Sequence, residues 1–158
     1  MEQPKSTNGN IETRSVKSVD SETKSVSSDV LDIISLKGKT TDVGPGTGSC
    51  DINGESTEGT FMVRHPWSIS GSTVLELEDA MQRLHINLPQ HGWKVSRYGN
   101  NTSKNASLEL TADHEEKKFS LNIVLIENSG NSSQLPILAV TVVSDCYKIP
   151  EGEELEHY

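Results

Sequence analysis

Aromatic residues, long apolar runs and positive charge are all scarce in this sequence. Aromatics make up 4% and apolar residues 32% of its 158 residues, which is low for a chain that is folded throughout. The longest apolar stretch, Leu135 to Val143, falls far short of the roughly 18 residues that a membrane-spanning helix needs. We therefore expect one folded domain with an unfolded segment attached to it, and no membrane span.

The charge balance is acidic. Fourteen Lys and Arg stand against 23 Asp and Glu, which gives a net charge of −9 at pH 7. A surface of this sign repels phosphate backbones, so nucleic acid is not an expected partner. The chain as given also begins without the basic residues and apolar core of a secretory signal, which fits either a cytosolic protein or a processed form of an exported one.

Motifs that carry catalytic chemistry are missing. The five histidines occur in no HExxH or HxH arrangement, and no serine lies in a GxSxG elbow. The glycine-rich run around Pro45 has no following Lys-Ser/Thr, and the proline removes an amide that a phosphate loop would use. We expect no cofactor. A metal site would need separated ligands to converge in space, for instance His65 and His91 with Asp79 or Asp113.

The sequence contains two cysteines, Cys50 and Cys146. Their wide separation rules out a CxxC redox or zinc motif. In an oxidising compartment they could close a loop of about 95 residues, which the chain-entropy model rates at roughly 4 to 5 kcal/mol. Two unrelated thiols are the alternative, and the count alone does not decide between the two.

Composition divides the chain into three parts. Residues 1–28 are rich in Ser, Thr, Lys and Glu, and their few apolar residues are too sparse to form a face, so we expect a disordered N-terminal tether. Residues 29–150 are expected to form a single domain. Residues 151–158 carry four Glu and are expected to form a solvated acidic tail.

The domain is organised around the stretch from His65 to Trp93. A capping box at Thr73 to Glu76 predicts the start of a helix, and Pro89 and Gly92 predict its end. An apolar stripe runs along this helix at Val74, Leu77, Met81, Leu84 and Leu88. The helix must therefore lie on a second element.

Alternating apolar residues predict an antiparallel sheet beneath that helix. The first strand covers Thr60 to Ile69 and is broken or ended by Pro66. Further strands are predicted at residues 93–98, 108–112, 119–125 and 138–142, the last being central. Residues 29–36 indicate a short helix, and residues 39–59 an irregular connection. The predicted class is α+β: one amphipathic helix, plus a short N-terminal helix, packed on one face of a four- to five-stranded, mainly antiparallel sheet.

The sequence pattern assigns no clear structural role to four residues near that helix: His65, Trp67, His91 and Trp93. With Tyr98 they could line a ligand groove, although core packing with one wet edge also explains the tryptophans. We expect a monomeric, non-enzymatic domain that binds an unknown protein, peptide or small apolar ligand. The alternatives are a hydrolase, metal-dependent or not, that uses His65 and His91, and a structural or assembly protein without a pocket.

A series of short motifs follows along residues 29–150. They are Asp29-Val30-Leu31, Lys37-Gly38-Lys39, Gly44-Pro45-Gly46 ahead of Cys50, His65-Pro66-Trp67-Ser68, Leu88-Pro89 to Gly92-Trp93, and Val143-Ser144-Asp145-Cys146-Tyr147. In this order they resemble a family of actinobacterial, Streptomyces-type cell-envelope lipoproteins of unknown function. The resemblance implies secretion to the cell envelope, a disulfide between Cys50 and Cys146, and membrane attachment only through a lipid anchor that this chain lacks. It implies no catalytic or ligand residue.

Overall fold

The computed structural model describes residues 11–52, 55–127 and 135–152 of the chain. In chain order its elements are α1 (Val16–Ile34), β1 (Thr40–Asp42), β2 (Gly46–Ile52), β3 (Glu55–Ser70), α2 (Val74–Asn87), a 3₁₀ turn (Leu88–His91), β4 (Trp93–Asn100), β5 (Leu108–His114), β6 (Phe119–Ile126), β7 (Ile137–Ser144) and β8 (Tyr147–Lys148). The two helices and the inward side chains of the sheet share one main core, so the predicted α+β class is confirmed.

The strands form a single antiparallel sheet in the order β1-β3-β7-β6-β5-β4, and β2 and β8 also pair with β3. β7 lies between β3 and β6, as its apolar character predicted. The expected four to five strands are too few. Residues 39–59, predicted as an irregular connection, contain β1, β2 and the start of β3. These strands are short or glycine-rich and lack the apolar alternation on which the prediction depended.

Pro66 lies within β3 and does not break it. The Ser70 amide donates to Lys39 O at 3.0 Å, on the β1 side of the strand. Because backbone N–H groups alternate in direction along a strand, the nitrogen of Pro66 faces that same side. It lies opposite the gap between β1, which starts its pairing at Trp67, and β2, which starts at Arg64. A proline is tolerated there because no ladder hydrogen bond is required.

The predicted disordered tether is wrong where it overlaps α1, over residues 16–28. This helix has 19 residues, and buried side chains recur along it three or four positions apart at Val16, Val19, Thr23, Val26, Val30 and Ile34. Ser15 is its N-cap and accepts a hydrogen bond from the Ser18 amide at 3.1 Å, so the helix begins well before the short helix predicted at residues 29–36. The domain therefore starts well before the expected boundary. The outer parts of both predicted tails, residues 1–10 and 153–158, lie outside the described residues.

The central helix α2 follows its prediction closely. Thr73 Oγ1 accepts from the Glu76 amide at 3.1 Å, and the Glu76 carboxylate accepts in return from the Ser72 amide at 2.7 Å. The apolar stripe is buried at Leu77, Met81, Leu84 and Leu88. The helix passes into the 3₁₀ turn and stops at Gly92, whose φ of 92° is a conformation that favours glycine.

A disulfide joins Cys50 in β2 to Cys146 in the β7–β8 connection, across a sequence separation of 96. This confirms the pairing that the family resemblance implied, and it is compatible with an extracellular location. The bridge thus ties β2 to the C-terminal segment of the domain. A small second core at the start of α1 is formed by Val16, Val19, Phe61, Val63 and Tyr147. No helix in the described ranges is long and apolar enough to cross a membrane.

Candidate functional site

The predicted site residues do not share one groove, because α1 lies between them. His65 and Trp67 line a cavity on the β3 side of α1, which we call the α1–β3 cavity. His91 and Trp93 line a second cavity towards β4, which we call the α1–β4 cavity. Tyr98 lines neither of these two; its ring stacks on the His85 imidazole with centroids 4.2 Å apart. Much of the helix that separates the two pairs, residues 16–28, falls within the predicted disordered tether.

The α1–β3 cavity has a volume of about 280 Å³. Three elements build it. β3 contributes His65 and Trp67, which point to the same face because they are two residues apart. The side chains from α1, spaced by one helical turn, are Lys24, Ser27, Ser28 and Leu31. The wall opposite, from β1 and the following turn, consists of Thr40, Asp42, Gly44 and Pro45.

His65 connects these three elements through hydrogen bonds. Its ring is only 4% exposed. Nδ1 lies 2.7 Å from Ser27 Oγ, and Nε2 lies 2.7 Å from Asp42 Oδ1. Because a carboxylate only accepts, Nε2 must carry a proton, and in the neutral ring Nδ1 is then the acceptor for the Ser27 hydroxyl. The result is a continuous chain in which serine donates to histidine and histidine donates to aspartate.

Asp42 is held in its charged form. Its Oδ1 also accepts from the Gly44 amide at 2.8 Å. Desolvation acts to raise its pKa, but the hydrogen bonds from His65 and Gly44 outweigh it and lower the pKa of Asp42 below the ordinary value. Gly44 adopts a φ of 89°, which lets the turn fold back on the carboxylate. The negative charge at one end of the chain is therefore stable near neutral pH.

Trp67 has an unusual feature in the same cavity. It is 7% exposed, and among the residues that the structure describes its Nε1 is the one buried side-chain nitrogen or oxygen without a hydrogen-bond partner. Leaving such a donor unsatisfied costs about 1–3 kcal/mol, and native proteins contain few such groups. The indole nitrogen itself exposes almost no surface, so a ligand in the cavity reaches this donor only if the ring turns.

The α1–β4 cavity is larger, about 490 Å³, but its central polar groups are engaged in the fold. His114 Nε2 lies 3.1 Å from His91 O, and Nδ1 accepts from the Lys117 amide at 3.1 Å. The Trp93 ring meets the His114 ring edge-on at 5.2 Å. Arg83 donates to Ile34 O at 2.7 Å and so satisfies the C-terminal end of α1. These contacts explain the residues structurally, so size alone does not make this cavity the functional one.

The alternative hypothesis of a hydrolase that uses both His65 and His91 requires the two side chains to meet in one site. In the structure they line separate cavities. Asp113, offered as a further ligand, lines a depression with Arg64 and Asn122 elsewhere on the sheet. Within residues 11–52, 55–127 and 135–152, no group of three His, Cys, Asp or Glu side chains is placed to hold a metal ion.

Sequence reasoning missed Ser27 and Asp42. The signal for Ser27 was present: the apolar residues of α1 are three or four apart, and a helix drawn through them places Ser27 one position from buried Val26. Asp42 had no comparable signal, because its role depends on β1 pairing with β3 and that pairing is set by distant contacts.

Comparison of the chain with family models, with curated proteins and with solved structures found no match in any of the three.

Proposed function

We propose that this protein is a binding domain that holds a small ligand, or a peptide segment, in the α1–β3 cavity. The ligand carries an apolar body and a neutral carbonyl oxygen. The observation that supports this most directly is a cavity with room for a small ligand that is lined by Trp67, whose buried Nε1 has no partner in the fold. A carbonyl that accepts from this indole would remove the penalty of the orphaned donor, which gives the bound state an advantage specific to that atom.

The charges around the cavity favour a neutral ligand over a carboxylate. Asp42 is ionised, because its pKa is lowered by the hydrogen bonds that it accepts from His65 and Gly44. Lys24 lines the cavity, and its ammonium lies 3.5 Å from Asp20 while its charge also helps to lower the pKa of Asp42. A second carboxylate would therefore approach Asp42 where Lys24 already compensates Asp20 and Asp42. An amide or ester carbonyl avoids this repulsion.

The apolar residues that line the cavity are the basis for proposing that the ligand has an apolar body. Leu31 from α1, Pro45 from the β1–β2 turn and the ring of Trp67 form the non-polar walls. Leu31 is half-buried and so has surface left to gain contact with a bound aliphatic group, whereas Pro45 is already buried. A short hydrophobic peptide has the required combination of side chain and backbone carbonyl.

We infer further that the domain works as a monomer outside the cytoplasm, in a member of the envelope lipoprotein family that the motifs resemble. The disulfide supports an oxidising compartment. The net charge of −9 argues against nucleic acid.

The proposal is tested by titrating the ¹⁵N-labelled full chain with N-acetyl-leucinamide, and separately with N-acetyl-leucine, while recording the two indole N–H resonances. We expect the amide to shift the Trp67 resonance downfield and saturably, with the carboxylate binding about tenfold more weakly or worse, as ~1.4 kcal/mol of repulsion would produce. Trp93, in the other cavity, is the internal control. Equal shifts of both indoles, or no saturable shift of Trp67, would rule the site out.

A further inference from the structure

We propose that Ser27 is a nucleophile and that the α1–β3 cavity cleaves activated esters through a covalent acyl-serine. This goes beyond binding, and it rests on the proposed function in one respect: the carbonyl held at Trp67 is the group attacked. The observation behind it is the Ser27–His65–Asp42 chain, in which both links are 2.7 Å long and both serine and histidine line the cavity.

The geometry satisfies the requirements for an activated serine. The nucleophile and its base must lie within about 2.6–3.2 Å, and the base must be oriented by a third group. Ser27 Oγ and His65 Nδ1 meet the first condition. Asp42 meets the second, because it fixes the proton on Nε2 and leaves the Nδ1 lone pair directed at the hydroxyl. Asp42 is a positioning residue, since it acts through the imidazole.

The burial of His65 strengthens the interaction. The ring is 4% exposed and Ser27 is 5% exposed, so water competes little for the hydrogen bond between them. Asp42 lies at the wetter end of the chain, with 47% of its side chain exposed. When His65 takes the serine proton and becomes positive, the adjacent carboxylate stabilises that charge. A surface serine with a mobile histidine would have neither advantage.

The reaction balances with water as the only co-reactant. Ser27 Oγ bonds to the carbonyl carbon of the ester while its proton passes to His65 Nδ1. The bond to the leaving oxygen breaks, and the alcohol departs with the proton from His65. Water, deprotonated by His65, then cleaves the acyl-serine to release the acid and restore Ser27.

A purely structural role for the hydrogen-bond chain makes a different prediction. In that case Ser27 only anchors α1 to β3, and its hydroxyl has no special reactivity. Ser28 is the matched control, because it is the same residue type, lines the same cavity and has a more exposed position, yet has no contact with His65 among the hydrogen bonds of the described residues. Accessibility alone would favour modification of Ser28, whereas activation by histidine favours Ser27.

The test is to treat the full chain with an alkyl fluorophosphonate and to locate the adduct by intact mass and peptide mapping. We expect a single adduct on Ser27, lost in Ser27→Ala and retained in Ser28→Ala. Asp42→Asn should slow labelling about tenfold or more while the fold, checked by near-UV circular dichroism, is kept, because the histidine loses its orienting acceptor. With p-nitrophenyl acetate, acetylation of the same serine should raise the mass of the protein by about 42 Da.

Absence of an adduct from folded wild-type protein, or labelling that survives Ser27→Ala, would overturn the assignment. These outcomes are separate from those for the proposed function. A Trp67 resonance that shifts with N-acetyl-leucinamide in a protein that takes up no label retains the binding site and removes the nucleophile. A Ser27 adduct in a protein whose Trp67 resonance does not respond retains the nucleophile and removes the proposed ligand geometry.

Discussion

Removing the Cys50–Cys146 disulfide should produce the largest stability loss of any change that leaves the cores intact. The bridge spans a sequence separation of 96. In the chain-entropy model, cross-linking a loop of this size lowers the entropy of the unfolded chain and so stabilises the folded protein by about 4.7 kcal/mol at 25 °C. Removal of a native disulfide typically costs about 2–5 kcal/mol of stability. Because a domain is stable by only about 5–15 kcal/mol, this is a large fraction of the total.

Urea unfolding of the oxidised protein and of the Cys50→Ala, Cys146→Ala double variant measures the effect. With an m-value of about 2 kcal/mol/M, the midpoint should fall by roughly 1–2.5 M. Adding a reductant to the wild type should reproduce the shift, and adding it to the double variant should change nothing. Equal midpoints for the oxidised protein and the variant would refute the proposed role of the bridge in tying β2 to the C-terminal segment.

Three further changes test separate parts of the structure. Val19→Asp should unfold the domain, because it buries a charge in α1, whereas Ser21→Asp, exposed on the same helix, should leave the melting temperature nearly unchanged. Gly92→Ala should cost about 1–3 kcal/mol in urea unfolding, since its φ is 92° and a Cβ would lie 2.6 Å from an imidazole nitrogen, whereas Gly99→Ala meets nothing within 4 Å. The pKa of Asp42 is lower in the folded protein than its ordinary value of 3.8, so ionised Asp42 stabilises the fold above pH 3.8, and this stabilisation is lost as the pH falls through the folded pKa. Asp42→Asn should therefore flatten the pH dependence of the urea midpoint in that acidic range.

The parts of the fold predicted from sequence are those whose local patterns agree with their packing. Helix α2 had both a capping box and a stripe of large apolar residues, so its start and its buried face were predictable. Strand β6 alternated from Phe119 to Leu125, and its burial alternates in the same way. In both elements a short window of sequence contained the information that determines the structure.

The parts that were missed depend on partners far away in the chain. Helix α1 buries small residues such as Val19 and Thr23 between charged and hydroxyl side chains, so its stripe is weak in hydrophobicity although regular in spacing. Strand β1 is entirely exposed and exists because it pairs with β3. The prediction that His65 and Trp67 lie at a site had a basis in the sequence. That α1 and β1 form the other walls of this site could be seen only in the tertiary structure.

The most direct test of the central claim compares Trp67→Phe with Trp93→Phe in binding of N-acetyl-leucinamide, followed by heteronuclear NMR. Each substitution keeps an aromatic ring in the core and removes the indole N–H, and the two residues are almost equally buried. We predict that Trp67→Phe weakens binding about 3- to 10-fold, which corresponds to the loss of about one neutral hydrogen bond. In the unliganded protein the substitution should remove no hydrogen bond, because the indole donor has no partner there. Trp93→Phe should leave the affinity unchanged. Equal affinities for the wild type and Trp67→Phe would contradict the assignment of the α1–β3 cavity as the binding site.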